Sequence, residues 1–361
     1  MATYSPLIGR SLPASRVARL VSARSRPAYR GLFVCLVFCF SLIAVPQSPE
    51  QASNPSPASA RPPIEVSTEV MNVHAVVVNV YAVVEDRKGR LISDLNKEDF
   101  VVTEDNVRQQ TEYFSREADG AITLGIVIDT SASQGSVLAV EQQEAKRLLR
   151  EVLRPQDSAF VVHFDQRVGL LQGLTGDQEL VASAIDRTVI NERPPLLVPT
   201  ALTQTGPNAG GTHFYDAVCF ASKLMEGQVG RRVLVLLTDG EDLGSEVKLA
   251  MALDAAERAD VIVYSVDISN RAFYLDRNMG FHGDSALKKF SAATGGRTSR
   301  VSDPRSTSAA FSHIGKELRG QYLLGYTPSK RAEGSFRAIN VQVPHRSCKV
   351  RARRTYFAKA E

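Results

Sequence analysis

The side chains best placed by type and spacing to do chemistry in this 361-residue chain offer oxygen and nothing else. Asp129, Ser131 and Ser133 stand in VIDTSAS, Thr212 in GGTHFYDA and Asp239 in LLTDGED. Carboxylate and hydroxyl oxygens, without sulfur or imidazole, suit a hard cation such as Mg²⁺ or Mn²⁺. Mg²⁺ takes octahedral oxygen at about 2.0–2.1 Å and keeps several waters. Two carboxylates and three hydroxyls need not all bind it directly. Some act through water, which leaves one position open for a carboxylate from a partner protein. A site of this kind binds through its metal and need not catalyse.

Each segment alone has a plainer explanation. Asp and Ser cap helices, and Thr-Asp-Gly is a common turn. The combination carries the reading: three segments in order, each at the end of an apolar strand or the start of a helix.

These residues need a scaffold that gathers distant segments. From residue 121 apolar strands alternate with amphipathic helices. Strands are expected at 122–128, 158–164, 231–238, 261–267 and 298–301, and 168–174 reads as a hairpin partner to the second. Helices are expected at 137–153, 177–189 with Asp177 as N-cap, 245–259, 285–294 and 304–320. Val137, Val140, Ala145, Leu148, Leu149 and Val152 form the expected inner face of the first helix. Alternation of this kind predicts an α/β fold, a Rossmann-like, doubly wound and mainly parallel sheet covered on both faces. Ligands bind such sheets beyond the carboxyl ends of strands, where strand order reverses. Asp129 and Asp239 share that crevice if their strands are neighbours. Gly210-Gly211 permits a tight turn into Thr212.

The flanks read as β structure, a small module beside the central domain. In residues 64–115, strands are expected at 76–84, 100–103 and 110–114, with turns at 86–89 and 104–106. After residue 320, strands are expected at 321–326, 335–343 and 349–357. The basic residues of the last alternate with Val350, Ala352 and Tyr356, as in a strand with a solvated charged face. Both flanks are too small to fold alone, so the tail is expected to pair with the N-terminal strands. The domain division is 1–45, 46–63, 64–118, 119–320 and 321–361.

The formal charge of +4 misleads. Residues 1–45 hold six arginines and no acid, so the remainder is nearly neutral and no nucleic-acid surface is expected. The apolar run LFVCLVFCFSLIAV follows those arginines. It reads as a secretory signal or an N-terminal anchor, short for a membrane span of about 20 residues. Residues 46–63, rich in Pro, Ser and Ala, read as a tether. The protein is therefore expected to be exported, to a periplasm, cell surface or medium, touching membrane only through its N-terminal segment. Cys35 and Cys39 lie in the apolar run. Cys219 and Cys348 do not make a disulfide framework, and Cys219 falls in an apolar helical pattern.

VIDTSAS, GGTHFYDA and VLLTDGED resemble the three loops of the metal-ion-dependent adhesion site of von Willebrand factor type A (VWA) domains. The resemblance spans residues 121–320 and fills all five motif positions. It implies the VWA fold, a divalent cation and binding of a protein ligand. By the motif, Ser131, Ser133 and Thr212 are direct or near-direct ligands, and Asp129 and Asp239 act largely through water. The flanks DRKGRLISDLNKEDFVVTEDNVRQ and QYLLGYTPSKRAEGSFRAINVQV resemble VWFA-related exported bacterial proteins. One departure is the long, Pro-rich approach at 191–211, expected to overhang the metal and set access to it. The expected function is non-enzymatic binding or adhesion. A metal-dependent hydrolase is the alternative, with Glu241 or Asp242 as its base; a scaffold with a structural cation is a third reading. His163 is expected to be structural and His213 to border the site. Gly295-Gly296-Arg297 reads as a helix stop before a strand.

Overall fold

Eight consecutive buried residues, Ile122–Asp129, make the central strand of the molecule. A strand buried on both faces is mostly apolar and sits inside a covered sheet. The structure, a computed structural model, describes residues 77–116, 120–191, 211–268 and 283–360. These all belong to one compact unit. The N-terminal signal and tether, the start of the first expected β segment and most of the Pro-rich approach to Thr212 lie outside the described residues.

The first flank supplies β1 (Val78–Glu85), β2 (Val101–Glu104), β3 (Val107–Gln109) and β4 (Tyr113–Ser115). The central part runs β5 (Ile122–Asp129), α1 (Leu138–Val152), β6 (Ser158–Phe164), β7 (Val168–Thr175), α2 (Gln178–Asp186), α3 (Phe214–Met225), β8 (Arg231–Thr238), α4 (Leu249–Arg258) and β9 (Val261–Asp267). It ends with α5 (Gly283–Thr294), β10 (Thr298–Arg300) and α6 (Pro304–Gly320). The tail adds β11 (Tyr322–Tyr326), β12 (Ser335–Gln342), β13 (Lys349–Arg351) and β14 (Thr355–Ala358).

The central sheet has the order β10-β9-β8-β5-β6-β7. All its pairings are parallel except β6 with β7. This is a doubly wound, mainly parallel α/β fold with small antiparallel sheets beside it. One apolar cluster joins α1, α2 and α6 to one face, and a second joins α3, α4 and α5 to the other. Gly125 lets the layers close over β5, since a Cβ there would lie 2.4 Å from Leu234 Cδ2 and 2.5 Å from Phe160 Cζ. Asp177 caps α2 as expected, accepting from the amides of Glu179 and Leu180.

Two four-stranded sheets, β13-β1-β11-β4 and β14-β12-β2-β3, share one apolar core. Strands from both ends of the chain pair within each sheet, β1 with β11 and β12 with β2. The β2–β3 hairpin turns on Asp105 and Asn106, both at positive φ, the two-residue geometry that favours such residues.

Several boundaries differ from expectation. The strand expected at 110–114 starts three residues later, and 107–109 pairs into the hairpin instead. The strand expected at 349–357 is two strands in different sheets. Between them Arg354 N donates to Ala293 O, so the tail stops to cross the end of α5. Two of its basic residues do not face water as expected: Arg351 reaches Glu317, and Arg353 reaches Asp260, while Lys349, Arg354 and Lys359 are exposed. The inner face of α1 holds Ala145, Leu148, Leu149 and Val152 as expected, but in its first turn Leu138 and Glu141 are buried while Val137 and Val140 are half-buried. Cys219 and Cys348 are half-buried and unpaired, so Cys219 is less enclosed than its pattern implied. Among the described residues no helix is long and apolar enough to cross a membrane.

Candidate metal centre

β5 and β8 are neighbours, registered in parallel from Ile122↔Arg231 to Ile128↔Leu237. From β5 the chain moves outward to β6 on one side, while β8 pairs on the other. Strand order reverses there, where a doubly wound sheet opens a crevice for ligands. Asp129 ends β5, and Asp239 follows β8 directly. Both are buried.

After Asp129 the backbone stays extended at Ser131, then closes into a short 3-10 turn, Ala132–Gln134. The turn gathers the side chains. Asp129 Oδ1 accepts from Ser131 N at 2.9 Å, and Ser131 Oγ lies 3.1 Å from Ser133 Oγ. Ser133 Oγ donates to Asp239 Oδ2 at 2.8 Å. Four of the five expected residues therefore form one continuous chain of hydrogen bonds across the two strands.

Thr212 is placed by its backbone. Its amide donates to Leu243 O at 3.0 Å, and its carbonyl accepts from Leu243 N at 2.9 Å. The loop that carries Asp239 thus holds the segment that carries Thr212. Among the described residues, no hydrogen bond joins the Thr212 hydroxyl to the other four. Gly211 is needed at this approach, because a Cβ would lie 2.1 Å from Leu243 O. Gly240 has φ +81, and a Cβ there would meet Gly283 O at 2.6 Å. The Asp-Gly pair is thus required by the close passage of α5.

Sequence reasoning missed three members of this cluster. Thr238 Oγ1 donates to Asp129 Oδ2 at 2.6 Å and accepts from Gly240 N at 3.0 Å. Gln134 Nε2 donates to Asp239 Oδ2 at 3.0 Å and Ser133 Oγ at 3.2 Å. Glu141, on α1, is a third buried acid. The available signals were a hydroxyl immediately before Asp239 and a charge at core spacing between Leu138 and Ala145.

Burial, and then the nearby Asp239 carboxylate, raise the Asp129 pKa to about 7, against the lowering effect of Ser131 and Thr238. Among the described residues no Lys, Arg or His pairs with Asp129 or Glu141. Gln134 Oε1 and both Glu141 oxygens are buried without a hydrogen-bond partner among the described residues. Buried oxygens without partners are costly, and an all-oxygen acidic cluster is what a hard divalent cation neutralises. The residues present therefore fit such an ion.

The neighbours have other duties. Glu241 Oε1 accepts from Gly283 N at 2.7 Å, and Asp242 Oδ1 accepts from Tyr215 N at 3.1 Å. His213 leads into α3, its Nδ1 3.4 Å from Asp216 Oδ2 and its amide bonded to Asp165 O. His163 Nδ1 lies 3.5 Å from Thr130 Oγ1, against Gly169. A second group of ligating atoms, from Glu85, His313 and Glu317, lies within 4.8 Å. Arg297 and Arg351 already neutralise those carboxylates, so the group reads as an ion-pair network.

Residues 124–241 match the family model described as the von Willebrand factor type A domain. No curated protein matches the chain. Among solved structures, it is similar to a von Willebrand factor type A protein from Catenulispora acidiphila, at 16% identity and TM-score 0.44, over 62% of this chain and 50% of that one. It is also similar to proximal thread matrix protein 1 from the mussel byssus, solved with a zinc-occupied MIDAS motif. That match has 16% identity and TM-score 0.46, over 60% of this chain and 50% of that one. A third similarity is to the vWF domain of the type V pili tip protein Mfa5 from Porphyromonas gingivalis, at 12% identity and TM-score 0.41, over 55% and 95% of the two chains. The matched region spans about half the length of the first two.

Proposed function

We propose that this chain, whose residues 124–241 form a von Willebrand factor type A domain, is an exported binding protein that engages a protein ligand through a divalent cation. VWA domains are generally non-enzymatic binding modules. The observation that carries the reading is the hydrogen-bonded chain from Asp129 through Ser131 and Ser133 to Asp239, at the point where strand order reverses.

Asp129, Ser131, Ser133, Thr212 and Asp239 would hold the cation, Mg²⁺ or Mn²⁺ by the hardness of the donors. When bound, the ion supplies a coordination position that a carboxylate of the partner can fill. The protein's own part is preorganisation. Thr238 and Gln134 fix the two aspartates, and the Gly240 turn holds Asp239 against α5. The hydrolase reading requires a general base, yet Glu241 and Asp242 are each held by a backbone amide. Export is supported by the basic-then-apolar pattern of residues 1–45.

Titration of Mg²⁺ or Mn²⁺ into chelator-stripped protein is expected to show one site, absent in Asp129→Ala. An array of peptides bearing exposed Asp or Glu is expected to yield binders that need the cation. Unchanged cation binding in Asp129→Ala would overturn the site. Peptide binding indifferent to chelator would overturn the mode of recognition.

A further inference from the structure

Glu141 does not belong in an apolar core. It lies in the first turn of α1, on the face shared by Leu138, Ala145, Leu148 and Leu149. It is fully buried, and neither carboxylate oxygen has a hydrogen-bond partner among the described residues. A leucine or methionine would fill that position at lower cost, because a buried carboxyl without a partner is penalised in either protonation state. The acid therefore calls for a compensating group.

Its surroundings indicate which kind. Burial, then the charges of Asp129 and Asp239, push the Glu141 pKa well above the ordinary carboxylate range. All three acids are buried. Gln134 shares the signature: its amide nitrogen holds Asp239 and Ser133, while its buried Oε1 has no partner among the described residues. Gln134 and Glu141 both follow Ser133 on the segment that leads from the Asp-x-Ser-x-Ser turn into α1. A positive ion is the occupant that balances such a set.

We infer that Glu141 is a positioning residue of the cation site, whose buried carboxylate adds a third negative charge behind Asp129 and Asp239 and strengthens retention of the ion. The inference rests on the cation-site reading above. Its consequence is a charge dependence. Coulomb attraction scales with the product of the charges, so a trivalent ion gains more from Glu141 than a divalent one.

The test is titration of Mn²⁺ and of La³⁺ into stripped full-length protein, wild type and Glu141→Gln, with thermal unfolding of each cation-free form. Loss of such a supporting group typically weakens metal binding about 10–100-fold. That loss is expected for Mn²⁺ and a larger one for La³⁺, while cation-free Glu141→Gln melts no lower than wild type. Glu141→Met, of similar volume, is read in the same way if the Gln variant does not fold. Wild-type affinity in these variants overturns the inference and leaves the five-residue site standing. Equal fractional losses for both ions also overturn it, since they mark a general packing defect. Absence of cation binding in the wild type removes both readings together.

Discussion

Thr238 shows how much of the centre depends on groups that are not themselves expected ligands. One hydroxyl spans two segments: it donates to Asp129 Oδ2 at 2.6 Å and receives Gly240 N at 3.0 Å. Valine matches its shape but offers neither bond. Thr238→Val would leave a buried carboxylate oxygen and a buried amide unpaired, at about 1–3 kcal/mol for each. Cation affinity is expected to fall about 10–100-fold, as for other supporting partners of metal ligands, and Thr238→Ser is expected to recover most of it. Calorimetric titration of the three proteins checks this. Equal affinity in Thr238→Val would mean that Asp129 is held by Ser131 alone. The nearness of Asp129, Ser131, Ser133 and Asp239 was legible because their types repeat one chemistry at the ends of strands. Thr238 was not, because a threonine closing a β-strand is commonplace until its hydroxyl is seen to face Asp129. Glu141 was missed for a different reason: it lies at core spacing among Leu138, Ala145 and Leu148, but a charged residue was not assigned to an apolar face.

At the scale of elements, the contact between α6 and the sandwich is ionic. Glu317 on α6 lies 2.8 Å from Arg297 and 2.7 Å from Arg351, with His313 Nδ1 at 2.9 Å. Arg297 also pairs with Glu85 of β1. Burial opposes the Glu317 charge, but His313, Arg351 and Arg297 overcome it and hold the carboxyl down at about 2. A depressed carboxyl contributes stability above its unfolded pKa and loses it as pH falls through the folded value. The contribution is therefore present above about pH 4.5 and is lost toward pH 2. Glu317→Gln leaves two guanidiniums short of their shared anion, and removing one partner of a buried pair costs about 3–5 kcal/mol. Urea unfolding near pH 7 is expected to show that loss, and the variant's stability is expected to fall less than the wild type's between pH 4.5 and 2. Parallel pH profiles would show that Glu317 is not the group responsible. Nothing in the local sequence announced this network, since its members come from β1, α6, β13 and the entry to β10. Strand positions were easier to read. Arg231–Thr238 and Val261–Asp267 match their expected spans because continuous apolar runs can only be buried strands in this pattern. The tail misled because alternation of Arg with apolar residues has the same period whether arginines face water or buried acids.

Across the described residues, the first and last strands lie in the sandwich, with the α/β part as a long insertion between β4 and β11. Neither small sheet can be completed from one end alone, since each interleaves early and late strands. Contact with the insertion is polar and partly buried. Arg231 donates to Gln321 Oε1 at 2.6 Å, and Gln321 Nε2 lies 3.1 Å from the Tyr264 hydroxyl. Arg353 pairs with Asp260 and also donates to Asn79 O at 2.7 Å. Opening the sandwich first would strip Arg231 and Glu317 of partners while they remained against the α/β core, and such orphaned charges cost several kcal/mol. Opening the α/β part first would remove the same partners from Gln321 and Arg351. Partial unfolding from either side therefore carries a penalty that global unfolding does not. Multi-domain chains commonly melt in steps, but residues 77–360 are expected to melt in one. Scanning calorimetry should give a single peak whose calorimetric and van't Hoff enthalpies agree, and aromatic and backbone circular dichroism should change together. The coupling should weaken in Glu317→Gln. Two resolved peaks in the wild type would show that the ion pairs and the Gln321 bridge are too weak to make one cooperative unit of the sandwich and its insertion.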